Sequence, residues 1–180
     1  LIVIDAPAAY ATDADDCVAK GRALRDALRE QPLLSFCMAP HAPYTVSDAT
    51  LERVVTLAAQ LDLPIHIHIH ETSAEIEESL QLHGLRPLER LHRLGVLGPG
   101  LIGVHAAHLE EGEIRLLAKF DCSIAHCPSS NMKLGSGIAP IVAMDQGPLR
   151  VAFQSPCTLQ HGMKLKGAVE EILLAVGFEM

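Results

Sequence analysis

Pro64-Ile65-His66-Ile67-His68-Ile69-His70-Glu71-Thr72 is the stretch from which both fold and chemistry are read. Successive side chains of an extended strand point to opposite faces. The segment therefore puts Ile65, Ile67 and Ile69 on one face and His66, His68 and His70 on the other. The isoleucines suit a face covered by helices, and the histidines a face turned to an interior site. Glu71 follows where the strand ends. Thr72-Ser73-Ala74-Glu75 then reads as a capping box that opens a helix, with Glu75 returning a bond to the Thr72 backbone.

Outward from this segment, apolar β-branched runs alternate with amphipathic stretches. Strands are expected at Leu1–Asp5, Leu33–Met38, Pro64–His70, Leu101–His105, Cys122–His126 and Leu149–Phe153. Helices are expected near Asp13–Glu30, Asp48–Leu61, Ser73–His83, Pro87–Leu94 and Glu110–Phe120, with Ser47 as an N-cap and Pro87 in a first turn. Strand, helix, strand at spacings of roughly 20 to 40 residues implies βα units and a parallel sheet. Six such strands fit an open doubly wound sheet or part of a (β/α)8 barrel, which normally takes about 250 residues. No repeat, low-complexity tract or interdomain linker is visible.

The 180 residues are 49% hydrophobic and 20% charged, with a net charge of −8. With Lys and Arg scattered singly, a nucleic-acid partner is disfavoured. No run approaches the apolar length that spans a membrane, and Leu1-Ile2-Val3-Ile4-Asp5 reads as a buried strand, not a leader. A start without Met leads us to expect a chain that begins inside a longer protein. Cys17, Cys37, Cys122, Cys127 and Cys157 form an odd set without a C-x-x-C pair. Reduced thiols in a cytoplasmic protein are expected, with Cys127 a small core residue.

The ten histidines are informative by position. His41, His66/His68/His70, His105 and His126 fall at or near the ends of four successive expected strands. The carboxyl ends of parallel strands open on one face, where ligands bind, so the pattern points to a metal or proton-transfer site. A carboxylate such as Glu71 beside it suits proton shuttling, although a surface Glu complementing a helix dipole reads the same way alone. His108 is expected in a loop with a structural role, and His83, His92 and His161 are read as solvent-facing. The loop Lys133-Leu134-Gly135-Ser136-Gly137 has the glycines of an anion cradle but matches no P-loop spacing.

Taken in order, A-P-H-A-P-Y-T-V-S (39–47), H-I-H-E-T (68–72), G-V-H-A-A-H-L (103–109) and H-C-P-S-S-N-M-K-L-G-S-G-I-A-P (126–140) resemble the amidohydrolase superfamily. The resemblance is to the group of methylthioadenosine/S-adenosylhomocysteine deaminases and chlorotriazine hydrolases. It implies an α/β fold: a partial (β/α)8 TIM-type barrel covering about strands three or four to seven over residues 1–144. Residues 145–180 would form a divergent C-terminal tail, with one strand and a helix near Leu165–Val176. It also implies roles. His68 would bind one catalytic divalent metal, usually zinc. Glu71 would move a proton from the metal-bound water to a purine-ring nitrogen. His105 would orient the attacking hydroxide, and His41 would face the substrate. His126, Ser130 and Asn131 receive no role.

Two parts of the family pattern are not found. The H-x-H metal pair, with the acid that grips the ribose, is expected upstream of Leu1. The last metal-binding Asp is expected near residue 156, where Gln154-Ser155-Pro156-Cys157 stands. The expectation is a hydrolytic deaminase of adenosine-type nucleosides, taking a small-molecule substrate and water, with homo-oligomerisation left open. The alternatives are guanine deamination or chlorotriazine hydrolysis on the same scaffold, or an inactive fragment binding metal weakly through His66, His68, His70 and His105. A doubly wound nucleotide-binding domain lacks the glycine spacings it needs.

Overall fold

The computed structural model describes residues 1–145 and 149–153. In chain order the elements are β1 (Ile2–Val3), α1 (Ala14–Leu28), β2 (Ala39–Pro40), α2 (Asp48–Leu61), β3 (Ile65–Ile69), α3 (Ser73–His83) and α4 (Pro87–Arg93). There follow β4 (Leu101–His105), α5 (Glu111–Lys119), β5 (Ser123–His126), α6 (Pro128–Leu134), α7 (Ile141–Asp145) and β6 (Arg150–Phe153).

All strand pairs are parallel: β1 lies beside β2, and β3, β4, β5 and β6 follow one another in a second ladder. A parallel bridge between Met38 and Ile65 joins the two ladders, so each strand sits next to its predecessor. A doubly wound sheet reverses its strand order at a switch point, whereas a barrel adds strands in sequence. The uninterrupted order identifies this chain as part of a (β/α)8-type wall.

Ile65, Ile67 and Ile69 are buried and share one core with Leu51 and Val54 of α2, Leu88 and Leu91 of α4 and Leu117 of α5. Burying each such side chain stabilises the fold by about 1.5–3 kcal/mol. Gly103 of β4 leaves room for this packing, since a Cβ there would meet Ile69 Cδ1 at 2.5 Å. His66 and His68 stand half-buried on the opposite face, as the alternation requires.

Helix starts follow their sequence signals. Ser47 caps α2 by accepting from Thr50 N (3.4 Å), and Thr72 caps α3 by accepting from Glu75 N (3.2 Å). Glu75 does more than the capping box asks, since the Thr72 amide is the weakest of three that its carboxylate meets. Its carboxylate reaches past Thr72 to accept from His70 N (3.1 Å) and Glu71 N (2.8 Å). The strand expected at Leu33–Met38 does not form. Only Met38 bridges, pairing begins at Ala39, and Leu33 is 95% exposed. Leu33, Leu34 and Ser35 are exposed, so burial does not hold that part of the run extended.

The loop read at Lys133–Gly137 begins as helix. Lys133 and Leu134 end α6, and Gly135 closes that helix in the left-handed conformation (φ +68°). Short helices of this kind lack the periodic length that makes them visible in sequence. The helix expected at Leu165–Val176, with His161 and Cys157, lies outside the described residues. No disulfide joins the four described cysteines, Cys17, Cys37, Cys122 and Cys127.

Candidate active site

The residues expected to act together converge at the carboxyl ends of β2, β3 and β4. The His68 ring lies 5.1 Å from that of His41 and 5.1 Å from that of His105, centroid to centroid. Glu71 Oε1 lies 3.5 Å from His105 Nε2. A cavity of about 350 Å3 opens beside them, lined by His66, His68, His105, Cys127, Ser129 and Ser130 among others. Cys127, read from sequence as a core residue, is only half-buried and faces this space. Ser129 and Ser130 lie on α6, which Pro128 opens and Gly135 closes but which is too short to show a helical period.

Backbone geometry sets these side chains at the rim. His105 (φ +72°) and Ala106 (φ +51°) adopt the left-handed conformation, which costs of order 1 kcal/mol or more for a non-glycine residue. Ala106 N donates to Ile69 O (3.0 Å) and His108 N to His70 O (3.2 Å), so the two strand ends hold one another in these turns. His68 N likewise donates to His41 O at 3.1 Å.

Hydrogen bonds define which ring atoms face the site. Thr45 Oγ1 donates to Ala42 O (3.1 Å), so it accepts from His41 Nδ1–H at 2.9 Å. His105 Nδ1 lies 2.7 Å from Asn131 Oδ1, which also assigns its proton to Nδ1. In both neutral rings this leaves Nε2 as the acceptor, and that of His105 lies 3.5 Å from Glu71 Oε1.

Burial lowers the pKa of His68, reinforced by His105 and His41 and opposed by Glu71. Burial also lowers those of His66 and His126. Neutral imidazole is the form that binds a metal, so His68 is suited to that task. Zinc sites take three or four protein ligands. Among the described residues no group of three or more His, Cys, Asp or Glu is arranged to hold a metal ion. The described donors alone do not fit a zinc ion: His68 offers one ligand, and the others would have to come from outside these residues.

His70 was expected on the same face as His66 and His68, and the structure overturns this. The chain turns left-handed at His70 (φ +50°), and its ring is fully buried on the helix side. Nε2 accepts from Leu88 N (3.1 Å), and Nδ1 lies 3.2 Å from His108 O. With Nε2 occupied as an acceptor, the ring is neutral despite Glu113 Oε1 at 3.5 Å, and burial lowers its pKa. Arg86 completes this layer with a bidentate pair to Glu113 (2.9 and 2.9 Å) and a bond to His108 O (2.9 Å). Strand alternation lapses one residue after β3 ends, and no sequence signal marks that lapse.

The remaining histidines divide. His83 is exposed as expected, whereas His92 is half-buried edge-on against Phe120 at 5.0 Å. His108 lies in the turn after β4, where its carbonyl serves the His70 layer. A second cavity, of about 410 Å3, is lined by Glu75 and Arg90. Both are committed to backbone: Glu75 to the His70 and Glu71 amides, Arg90 to Pro43 O and Val46 O (3.1 Å) as well as Asp48. It brings no pair of histidines together, so the site is placed in the smaller cavity.

The amidohydrolase family matches residues 7–153. The 5-methylthioadenosine/S-adenosylhomocysteine deaminase of Teredinibacter turnerae is 43% identical over 151 residues, covering 84% of this chain and 34% of that protein. The crystal structure of an adenosine deaminase from Xanthomonas campestris with bound zinc superposes with a TM-score of 0.83 at 46% identity, covering 87% of this chain and 36% of that one. The zinc complex of atrazine chlorohydrolase from Arthrobacter aurescens shares the fold, with a TM-score of 0.73 at 24% identity over 78% of this chain and 32% of that one. The chain thus spans about a third of the length of the relatives it matches.

Proposed function

Since the chain belongs to the amidohydrolase family, we propose that it carries the proton-transfer side of a hydrolytic deaminase acting on adenosine-type nucleosides. Methylthioadenosine and S-adenosylhomocysteine are the substrates we assign, by analogy with the deaminases it is similar to. The reaction replaces the exocyclic amino group of the adenine ring with oxygen from water and releases ammonia. One divalent metal, zinc, is the cofactor assigned, with His68 among its ligands.

The observation that carries this reading is the contact of Glu71 with His105 at the mouth of the His66–His68 cavity. Addition of water to the amino-bearing carbon needs a base to take the water's proton and an acid to protonate the ring nitrogen. Glu71 is assigned both tasks in turn. His105 accepts a hydrogen bond through Nε2 and orients the attacking oxygen. His41, presenting Nε2 from its bond to Thr45, is assigned to the substrate.

The test is ammonia release from S-adenosylhomocysteine and methylthioadenosine with zinc added, alongside Glu71→Gln. Release that disappears in the variant supports the reading. No release from folded, zinc-supplied protein overturns it for this chain and favours a second reading, a fold that binds metal weakly. The absence of a closed ligand group among the described residues is the observation behind that second reading. Zinc titration separates the two: one tight equivalent supports a complete site, several weak equivalents the other.

A further inference from the structure

The Asn131 side chain is fully buried on α6, and its backbone is held at both ends. Asn131 N donates to Cys127 O (3.0 Å), and Ser136 N donates to Asn131 O (2.8 Å). Its Oδ1 lies 2.7 Å from His105 Nδ1, while Nδ2 has no partner among the described residues. As packing alone an asparagine here is a poor choice, because a buried donor left unbonded is destabilising and a leucine would avoid that. Among the described residues, the one polar contact its side chain makes is with the ring assigned to orient the nucleophile.

We propose that Asn131 is a positioning residue that holds His105 as the Nδ1–H tautomer, so that Nε2 meets the site as a bare acceptor beside Glu71. This rests on the roles assigned above to Glu71 and His105. An amide oxygen only accepts, so in the neutral ring the single proton sits on Nδ1. Nε2 and the Glu71 carboxylate then face each other at 3.5 Å as two acceptors. Two acceptors at that distance call for a shared donor with two hydrogens, which is what water supplies. In the opposite tautomer Nε2–H would bond to Glu71 itself, occupying the base and leaving no acceptor for the water. Asn131 thereby decides whether Glu71 is available.

The tautomer is read directly from nitrogen–proton correlation spectra of the full chain labelled with 15N-histidine, His105 being assigned by comparison with His105→Gln. The expected result is Nδ1–H in the wild type and in Asn131→Asp, which keeps an acceptor oxygen. In Asn131→Leu the proton is expected to move mainly to Nε2, the form free histidine favours. A wild-type spectrum with the proton on Nε2 overturns the proposal without need of any variant. So does an unchanged Nδ1–H population in folded Asn131→Leu. The spectra are taken without substrate or metal, so a failure here is distinct from a failure of the deaminase reading, which the ammonia assay reports. Where the chain turns over, Asn131→Leu is expected to lower kcat at least tenfold with KM little changed, and Asn131→Asp to restore part of it.

Discussion

Two clusters of histidine and carboxylate flank the end of β3, and they differ in how far their hydrogen bonds are closed. On the helix side, His70, Arg86, Glu113 and the His108 carbonyl satisfy one another at 2.9–3.2 Å. On the rim, His41, His68, His105 and Glu71 sit 3.5–5.1 Å apart, and His68 and His105 line a cavity. His68 and His70 are two residues apart on one strand motif, yet one faces the cavity and the other is locked in the core. A histidine whose two nitrogens are both engaged holds structure together, whereas one with a nitrogen turned to a cavity is available for chemistry.

The largest expected effect separates the two clusters by readout. Glu71→Gln should lower ammonia release by about 10²–10⁴-fold while leaving stability within about 0.5 kcal/mol, measured by turnover and urea unfolding on the same preparation. A large loss of stability would move Glu71 into the structural class. His70→Leu should do the reverse. It strands the buried Leu88 amide and should cost about 1–3 kcal/mol in urea unfolding, with zinc affinity unchanged. A drop in zinc affinity without loss of stability would return His70 to the rim.

Glu75 sharpens the comparison from the side of pH. Its carboxyl is 4% exposed, and burial raises its pKa from 4.5 to about 7 against the pull of the Glu71 and His70 amides. A carboxyl that keeps its proton longer in the folded state than in the unfolded chain contributes stability below about 4.5 that is lost as pH rises to about 7. The buried histidines, with pKa values lowered, contribute the opposite slope, losing stability as pH falls. The measurement is therefore the difference between wild type and Glu75→Gln. It should shift against wild type by about 1–3 kcal/mol between pH 4.5 and 7.5, and a flat difference would show that the carboxyl titrates normally. The smallest effect is expected at His83, exposed on α3, where His83→Gln should change neither turnover nor unfolding beyond about 0.5 kcal/mol.

Much of this was legible in the chain. Ile65, Ile67 and Ile69 alternate with His66 and His68 because a strand has a period of two, and the same period put the isoleucines in the core. Ser47 and Thr72 marked helix starts because their side chains satisfy amides that the first turn leaves unbonded. His41, His68, Glu71 and His105 were legible as site candidates because each ends or follows a strand. Leu33–Met38 was misread because apolar composition does not say whether a run reaches the sheet. α6 was missed because seven residues give too little periodicity to detect.

What the sequence determined by itself was the alternation of strands and helices, the face each strand buries, and the gathering of histidines at strand ends, all consequences of local backbone periods. What only the tertiary structure decided was the strand order, the turning of His70 into the core, the reach of Glu75 to two amides beyond its helix, and the pairing of Asn131 with His105. Each of these depends on where the chain turns between elements. One left-handed residue, such as His70, reassigns a side chain from one cluster to the other, and no periodic pattern announces it.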